Sequence, residues 1–133
     1  MLDQSTKYDW KITVGDLDAD LAAQKVNGHP NGNAVAFNVK DDANRDKYIG
    51  QVDIVASLLP FVFHKIVAKD CLRLGKHLVT ASYVDQESMK MDQAFRQAGL
   101  LFMGEIGLDP GIDHLATMSM LDELQEKGAK IEG

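Results

Sequence analysis

The stretch Glu105-Ile106-Gly107-Leu108-Asp109-Pro110-Gly111-Ile112-Asp113-His114 lies between a short apolar run and a helical pattern. Pro110-Gly111 suits the centre of a type II turn, since proline fixes the first φ and glycine supplies the positive second one. Asp109 could cap a helix with Pro110 at its first position, or Asp113 could itself be the cap. Either start would aim free backbone N–H groups and the positive end of a helix dipole at the carboxyl end of a strand. Such a place suits a phosphate or a carboxylate, and open α/β sheets hold their ligands there. The plainer alternative is a tight strand-to-helix turn. A second stretch, Thr80-Ala81-Ser82-Tyr83, ends a candidate strand on hydroxyl side chains, which donate hydrogen bonds without adding charge. Its plainer alternative is a polar loop.

The elements that must position these residues can be read in order. Met1 to Trp10 is the tail of a helix or a linker. Lys11-Ile12-Thr13-Val14-Gly15 is a β-branched strand ending in Asp16. Asp18 caps a helix that Asn27-Gly28 ends, and His29 to Asn33 is a loop. Ala34-Val35-Ala36-Phe37 is the next strand, and Asp41 to Tyr48 a short polar helix closed by Gly50. Val52 to Ser57 is a strand apolar on both faces, the pattern of a buried parallel strand. Pro60 breaks it, and Val62 to Leu74 is a helix ended by Gly75. His77 to Thr80 is a strand, Asp85 caps a helix to Ala98, and Leu100 to Met103 is the last strand. A final helix runs from about His114 to Lys127, with Leu115, Met118, Leu121 and Leu124 three apart on one face. Strands alternating with helices in this way predict an α/β fold with a doubly wound parallel sheet.

Composition narrows the function classes. The chain of 133 residues is one domain in size, and 45% apolar residues is ordinary for a globular protein. A net charge of −6 argues against nucleic acid, whose binding needs a basic face. No apolar stretch is long enough for a membrane span, and the start is not a signal peptide. The lone Cys71 sits in an apolar helical pattern, so buried packing and a reducing, cytoplasmic setting are expected. Four scattered histidines and one cysteine give no metal-ligand spacing. His64, near the start of its helix, is expected to be partly exposed and idle, with a place facing a cleft as the alternative.

The stretch E-I-G-L-D-P-G-I-D-H at 105–114 resembles the signature after the last strand of the nucleotide domain in the saccharopine dehydrogenase family. Ser57-Leu58-Leu59-Pro60 and Val79-Thr80-Ala81-Ser82-Tyr83 fit the same family, in family order and over Ile12 to the chain end. The resemblance implies a Rossmann-like dinucleotide-binding domain and a hydride transfer between a nicotinamide cofactor and saccharopine, formed from aminoadipate semialdehyde and glutamate. It places Asp16 at the adenosine ribose and Asn38-Val39 near the adenine. It places Ser57, Leu58, Leu59 and Pro60 along the cofactor, with Pro60 as a mere strand terminator the alternative. Leu108, Asp109 and Pro110 fall at its nicotinamide end, and Ser82 and Tyr83 at the substrate. Asp16 repels a 2′-phosphate and Leu17 stands where NADP-using relatives carry Arg, so NAD is expected, with NADP the alternative; Asp18 competes with Asp16 for the role.

The resemblance also implies an absence. No Gly-rich turn follows a first strand, since Gly28-His29-Pro30-Asn31-Gly32 precedes a strand and opens no helix. In family register, residues 1–133 are a partial domain, truncated at the N-terminus and starting just before the second strand. The substrate and dimerisation domain would lie beyond Gly133. Without a central strand, the strands at Ile12 and Val52 must pair directly or each leave an exposed edge. The chain alone is then expected to be inactive. Partners are a small-molecule amino acid and a further copy of the chain, with neither nucleic acid nor membrane. No catalytic acid or base can be assigned. Other readings are a related imine reductase that makes polyamines, a non-catalytic fragment, or a partner-binding module.

Overall fold

The computed structural model describes residues Met1 to Lys130; the last residues of the expected 1–133 domain lie outside the described ones. Among the described residues five strands form two hydrogen-bonded sheets, and the chain divides into two compact units, Met1–Tyr48 and Ile49–Gly133.

In the first unit, helix α1 (Leu2–Tyr8) precedes strand β1 (Ile12–Asp16), helix α2 (Ala19–Val26), strand β2 (Gly32–Ala36) and helix α3 (Asp42–Gly50), whose end enters the second unit. β1 and β2 pair in parallel, Ile12 opposite Gly32 and Asp16 opposite Ala36. Parallel strands need a crossover, and α2 supplies it. Its start follows from Asp18, whose Oδ1 accepts the backbone N–H groups of Asp20 at 2.9 Å and Leu21 at 3.3 Å. Its end follows from Asn27 in the left-handed region at φ 49°. Ala22 and Val26 on α2 are buried, as is Val39 in the loop after β2. Gly32 is required by packing: a Cβ there would lie 2.6 Å from Val26 Cγ1.

The second unit is a parallel sheet in the order β3 (Ile54–Ser57), β4 (His77–Thr80), β5 (Phe102–Met103). Helix α4 (Phe61–Leu74) crosses between β3 and β4, and Gly75 at φ 69° ends it. Val67, Ala68 and Cys71 of α4 are buried, with Leu78 of β4 and Phe95, whose ring lies 5.2 Å from that of Phe102. Burial pushes the Cys71 thiol up to about 12, with the Asp70 charge adding to it, so the thiol is an inert core group.

Three expectations need correction. The helix from Asp85 to Ala98 is two: α5 (Gln86–Lys90), capped by the Asp85 side chain on Ser88 N at 2.7 Å, and α6 (Asp92–Gln97). They part at Met91, whose N–H bonds to Ser88 O at 3.0 Å, a tighter turn than the α-helix makes. The strand expected over Leu100 to Met103 has only two paired residues, because its chain turns away into a loop at Gly104. And β3 is not buried on both faces: Ile54 is 51% exposed. β3 stands at one end of its sheet's order, paired with β4. Helix α7 (Ile112–Glu126) ends the described fold, and its Leu115, Met118 and Leu124 are exposed. Among the described residues no helix is long and apolar enough to cross a membrane.

Candidate functional site

The carboxyl ends of β3, β4 and β5 bring Ser57, Thr80 and Met103 to one edge of the second unit's sheet, where open parallel sheets hold ligands. β3 and β4 pair with Ser57 opposite Thr80, so Ser82 comes level with the strand end two residues on. The backbone of Ser82 is held from two directions: its N–H donates to Thr80 Oγ1 at 3.1 Å, and its carbonyl accepts from Glu105 N at 3.0 Å. Its hydroxyl lies 2.8 Å from His64 Nε2, and the other imidazole nitrogen lies 2.9 Å from Ser57 Oγ. A polar chain Ser57–His64–Ser82 thus joins a strand end, a helix and a loop.

His64 is only 5% exposed. That overturns the expectation of a partly exposed, idle histidine. Burial lowers its pKa from the ordinary value, favouring the neutral ring. The ordering of β3 beside β4 was the signal that would have found it. Residues at two adjacent parallel strand ends share the first turn of the crossover helix as a neighbour.

The loop that carries 105–111 is laid onto the end of β4. Ile106 N donates to Thr80 O at 3.3 Å, Val84 N to Glu105 Oε1 at 3.2 Å, and Tyr83 OH to Asp109 Oδ1 at 2.7 Å. Gly107 is there because a Cβ would stand 2.7 Å from the Ala81 carbonyl oxygen. Gly107 and Gly111 form a bridge, with Gly107 N donating to Pro110 O at 2.9 Å. The peptide bond between Asp109 and Pro110 is cis, and Gly111 takes φ 144° and ψ −92°, far from the second central residue of a type II turn; the type II turn expected over Pro110-Gly111 is not formed, and Ile112 N bonds to Gly107 O instead.

This fold-back removes the anion site expected at the start of the last helix. Ile112 N donates to Gly107 O and Asp113 N to Leu108 O, each at 3.0 Å, so those N–H groups are spent within the loop. Neither Asp109 nor Asp113 caps the helix. Asp113 Oδ1 instead accepts from Gly111 N at 2.8 Å. Desolvation works to raise the Asp113 carboxyl, and the hydrogen bonds from His114 and Gly111 outweigh it and hold it low.

The remaining residues fall as follows. Asp16 is exposed at the end of β1; its Oδ1 accepts from Asp18 N at 2.9 Å, and its second oxygen has no hydrogen-bond partner among the described residues. Asn38 is exposed, accepting from Lys40 N, whereas Val39 is buried with its carbonyl taken by Arg45. Leu58 is 82% exposed beside half-buried Leu59 and exposed Pro60. Leu108 and Asp109 are exposed and Pro110 is buried. The second unit therefore brings together Ser57, Ser82, Tyr83 and Asp109; Asp16, Asn38 and Val39 belong to the first unit. A cleft of about 290 Å³ opens elsewhere, lined by Val84, Ser88, Met89, Asp92, Phe102 and Gly104, and none of the expected site residues lines it.

Tyr83 is 57% exposed, and its hydrogen bond to Asp109 raises its pKa, so the phenol keeps its proton. Arg45, Arg73 and Arg96 each pair with an aspartate on their own helix, Asp42, Asp70 and Asp92. The donors this edge offers a carboxylate are neutral hydroxyls.

Residues 1–103 match the model of the saccharopine dehydrogenase NADP binding domain. The chain is 42% identical over 130 residues to an α-aminoadipic semialdehyde synthase of Arabidopsis thaliana, covering 98% of this chain and 12% of that protein. It is 40% identical over 131 residues to a saccharopine dehydrogenase [NADP(+), L-glutamate-forming] of Pyricularia oryzae, covering 98% of this chain and 29% of the relative. Among solved structures it resembles the apo saccharopine dehydrogenase (L-Glu forming) of Saccharomyces cerevisiae, with TM-score 0.80 and 33% identity, over 99% of this chain and 30% of that one.

Proposed function

The chain belongs to the saccharopine dehydrogenase family, and from that premise we propose that it supplies the dinucleotide-binding part of an enzyme interconverting saccharopine with glutamate and aminoadipate semialdehyde. The observation that carries this is the assembly of Ser57, His64, Ser82, Tyr83 and Asp109 at the carboxyl ends of β3 to β5. Ser82 and Tyr83 donate to substrate carboxylates. Asp109 holds the Tyr83 phenol in place until substrate arrives. Exposed Leu58 and Leu108 provide apolar surface against which water is excluded once the site is filled. The nicotinamide cofactor, when bound, supplies the hydride, and orientation is the protein's contribution.

The residues present suit a dinucleotide at its ribose end, where Asp16 keeps one carboxylate oxygen without a partner for a sugar hydroxyl. The family domain is an NADP-binding one. In this chain the Asp16 charge and the exposed, uncharged Leu17 favour NAD(H) over NADP(H). The test is a chimera with residues 12–130 in place of the matching segment of the yeast enzyme. We expect saccharopine-dependent reduction of NAD(+), and a shift of kcat/KM toward NADP(+) on exchanging Asp16→Ala with Leu17→Arg. A folded chimera that turns over no saccharopine with either cofactor would overturn the proposal.

A further inference from the structure

The Ser57–His64–Ser82 chain has a direction, and the direction can be read from where its protons have to go. A neutral imidazole has one N–H and one lone pair, so one serine donates to the ring and the other accepts from it. Ser57 is 3% exposed, and among the described residues its hydroxyl has no hydrogen-bond partner other than His64 Nδ1. If Nδ1 carried the proton, Ser57 would accept it, and its own hydroxyl proton would be buried without an acceptor, which folded proteins avoid. Ser57 therefore donates to Nδ1, the ring proton is on Nε2, and Nε2–H donates to Ser82 Oγ. Ser82 is half-buried, and its own O–H is then turned away from the ring toward solvent at the strand ends.

We propose that His64 is a positioning residue that holds the Ser82 hydroxyl as an outward hydrogen-bond donor, aimed at a carboxylate of the amino-acid substrate. The substrate half of this rests on the function proposed above; the proton direction does not. Burial supports it by keeping the ring neutral, because an imidazolium would donate to Ser57 as well and leave the buried Ser57 hydroxyl proton without an acceptor. The backbone contacts of Ser82 to Thr80 and Glu105 fix its Cα, so the imidazole has only the side-chain torsion left to set. An aromatic or aliphatic side chain at 64 could fill the space but would not select a direction for the hydroxyl.

The test is nitrogen-15 NMR of the imidazoles in the whole chain at pH 7.5, with His64 assigned by its loss in His64→Gln. His29 and His77 serve as internal references, since each Nδ1 accepts a backbone N–H, from Asn31 at 3.2 Å and Leu101 at 2.9 Å. We expect His64 to be neutral with the proton on Nε2. The two serines should behave unequally. Ser57→Ala removes the donor that fixes the ring and should let both tautomers appear. Ser82→Ala removes only an acceptor and should leave the proton on Nε2. A charged ring, a proton on Nδ1, or a tautomer set by Ser82 rather than Ser57 would overturn the proposal. Because none of these readings needs turnover, an inactive chimera would count against the saccharopine assignment alone.

Discussion

Ser82 and Tyr83 are neighbours in the chain and differ in almost everything else. Ser82 is half-buried and is gripped by Thr80, Glu105 and His64. Tyr83 is exposed and is tied at one point, to Asp109. The alternation past the end of a strand sends one side chain inward and the next outward. The inward one can be oriented permanently, at the cost of burying polar groups that must all be matched. The outward one can exchange its partner for a ligand, because water satisfies it meanwhile. One site thus combines a fixed donor and a releasable one.

That contrast predicts unequal costs of mutation. His64→Phe should be the most damaging to stability, since it strands the buried Ser57 hydroxyl and removes two hydrogen bonds. We expect a loss on the order of 3 kcal/mol by urea unfolding; a loss under about 1 kcal/mol would mean the chain Ser57–His64–Ser82 is not buried as described. Gly107→Ala comes next. Its methyl would press on the Ala81 carbonyl oxygen and lift the 105–111 loop from β4, costing roughly 2 kcal/mol. Loop lifting should also free the Tyr83 phenol from Asp109, visible as a fall in the tyrosine pKa toward its ordinary value.

A pH series sharpens the comparison further. His64 has its folded pKa below the ordinary 6.5, and burial is the cause. Between the folded and the ordinary value the unfolded chain binds the extra proton, so stability is full above about pH 6.5 and declines as pH falls through it. Thermal midpoints measured from pH 8 to 5 should show this decline, and His64→Gln should flatten it. Tyr83 works the other way: its raised pKa contributes stability below about pH 10 that is lost on further alkalinisation, screened by its exposure. The smallest effect on folding is then expected for Tyr83→Phe, whose urea midpoint should stay indistinguishable from that of the parent.

Much of this was legible in the residues. Asp18, Asn27, Gly75 and Asp85 mark helix ends by chemistry that acts within a few residues, and the structure uses each of them so. The three strands of the second unit were visible as apolar runs, and Ser57, Ser82 and Tyr83 as hydroxyls at their ends. What escaped depends on contacts distant in sequence. Whether the first N–H groups of α7 are open is decided by the carbonyls of Gly107 and Leu108, once the loop folds back. His64 takes its role from Ser57 and Ser82, residues 7 and 18 positions away, which meet only after β3 and β4 pair. The exposure of Ile54 was not legible in Val52 to Ser57, whose apolar run matches a buried parallel strand, because what covers a strand's face comes from elements distant in sequence.

The most direct measurement of the central claim is kcat/KM for saccharopine in the chimera with and without Tyr83→Phe. If the carboxyl ends of β3 to β5 hold the substrate, losing one hydrogen bond to a charged group should lower kcat/KM roughly ten- to a hundredfold, with the KM for NAD(+) unchanged. An unchanged kcat/KM would return Tyr83 to an ordinary surface residue and move the substrate away from this edge of the sheet.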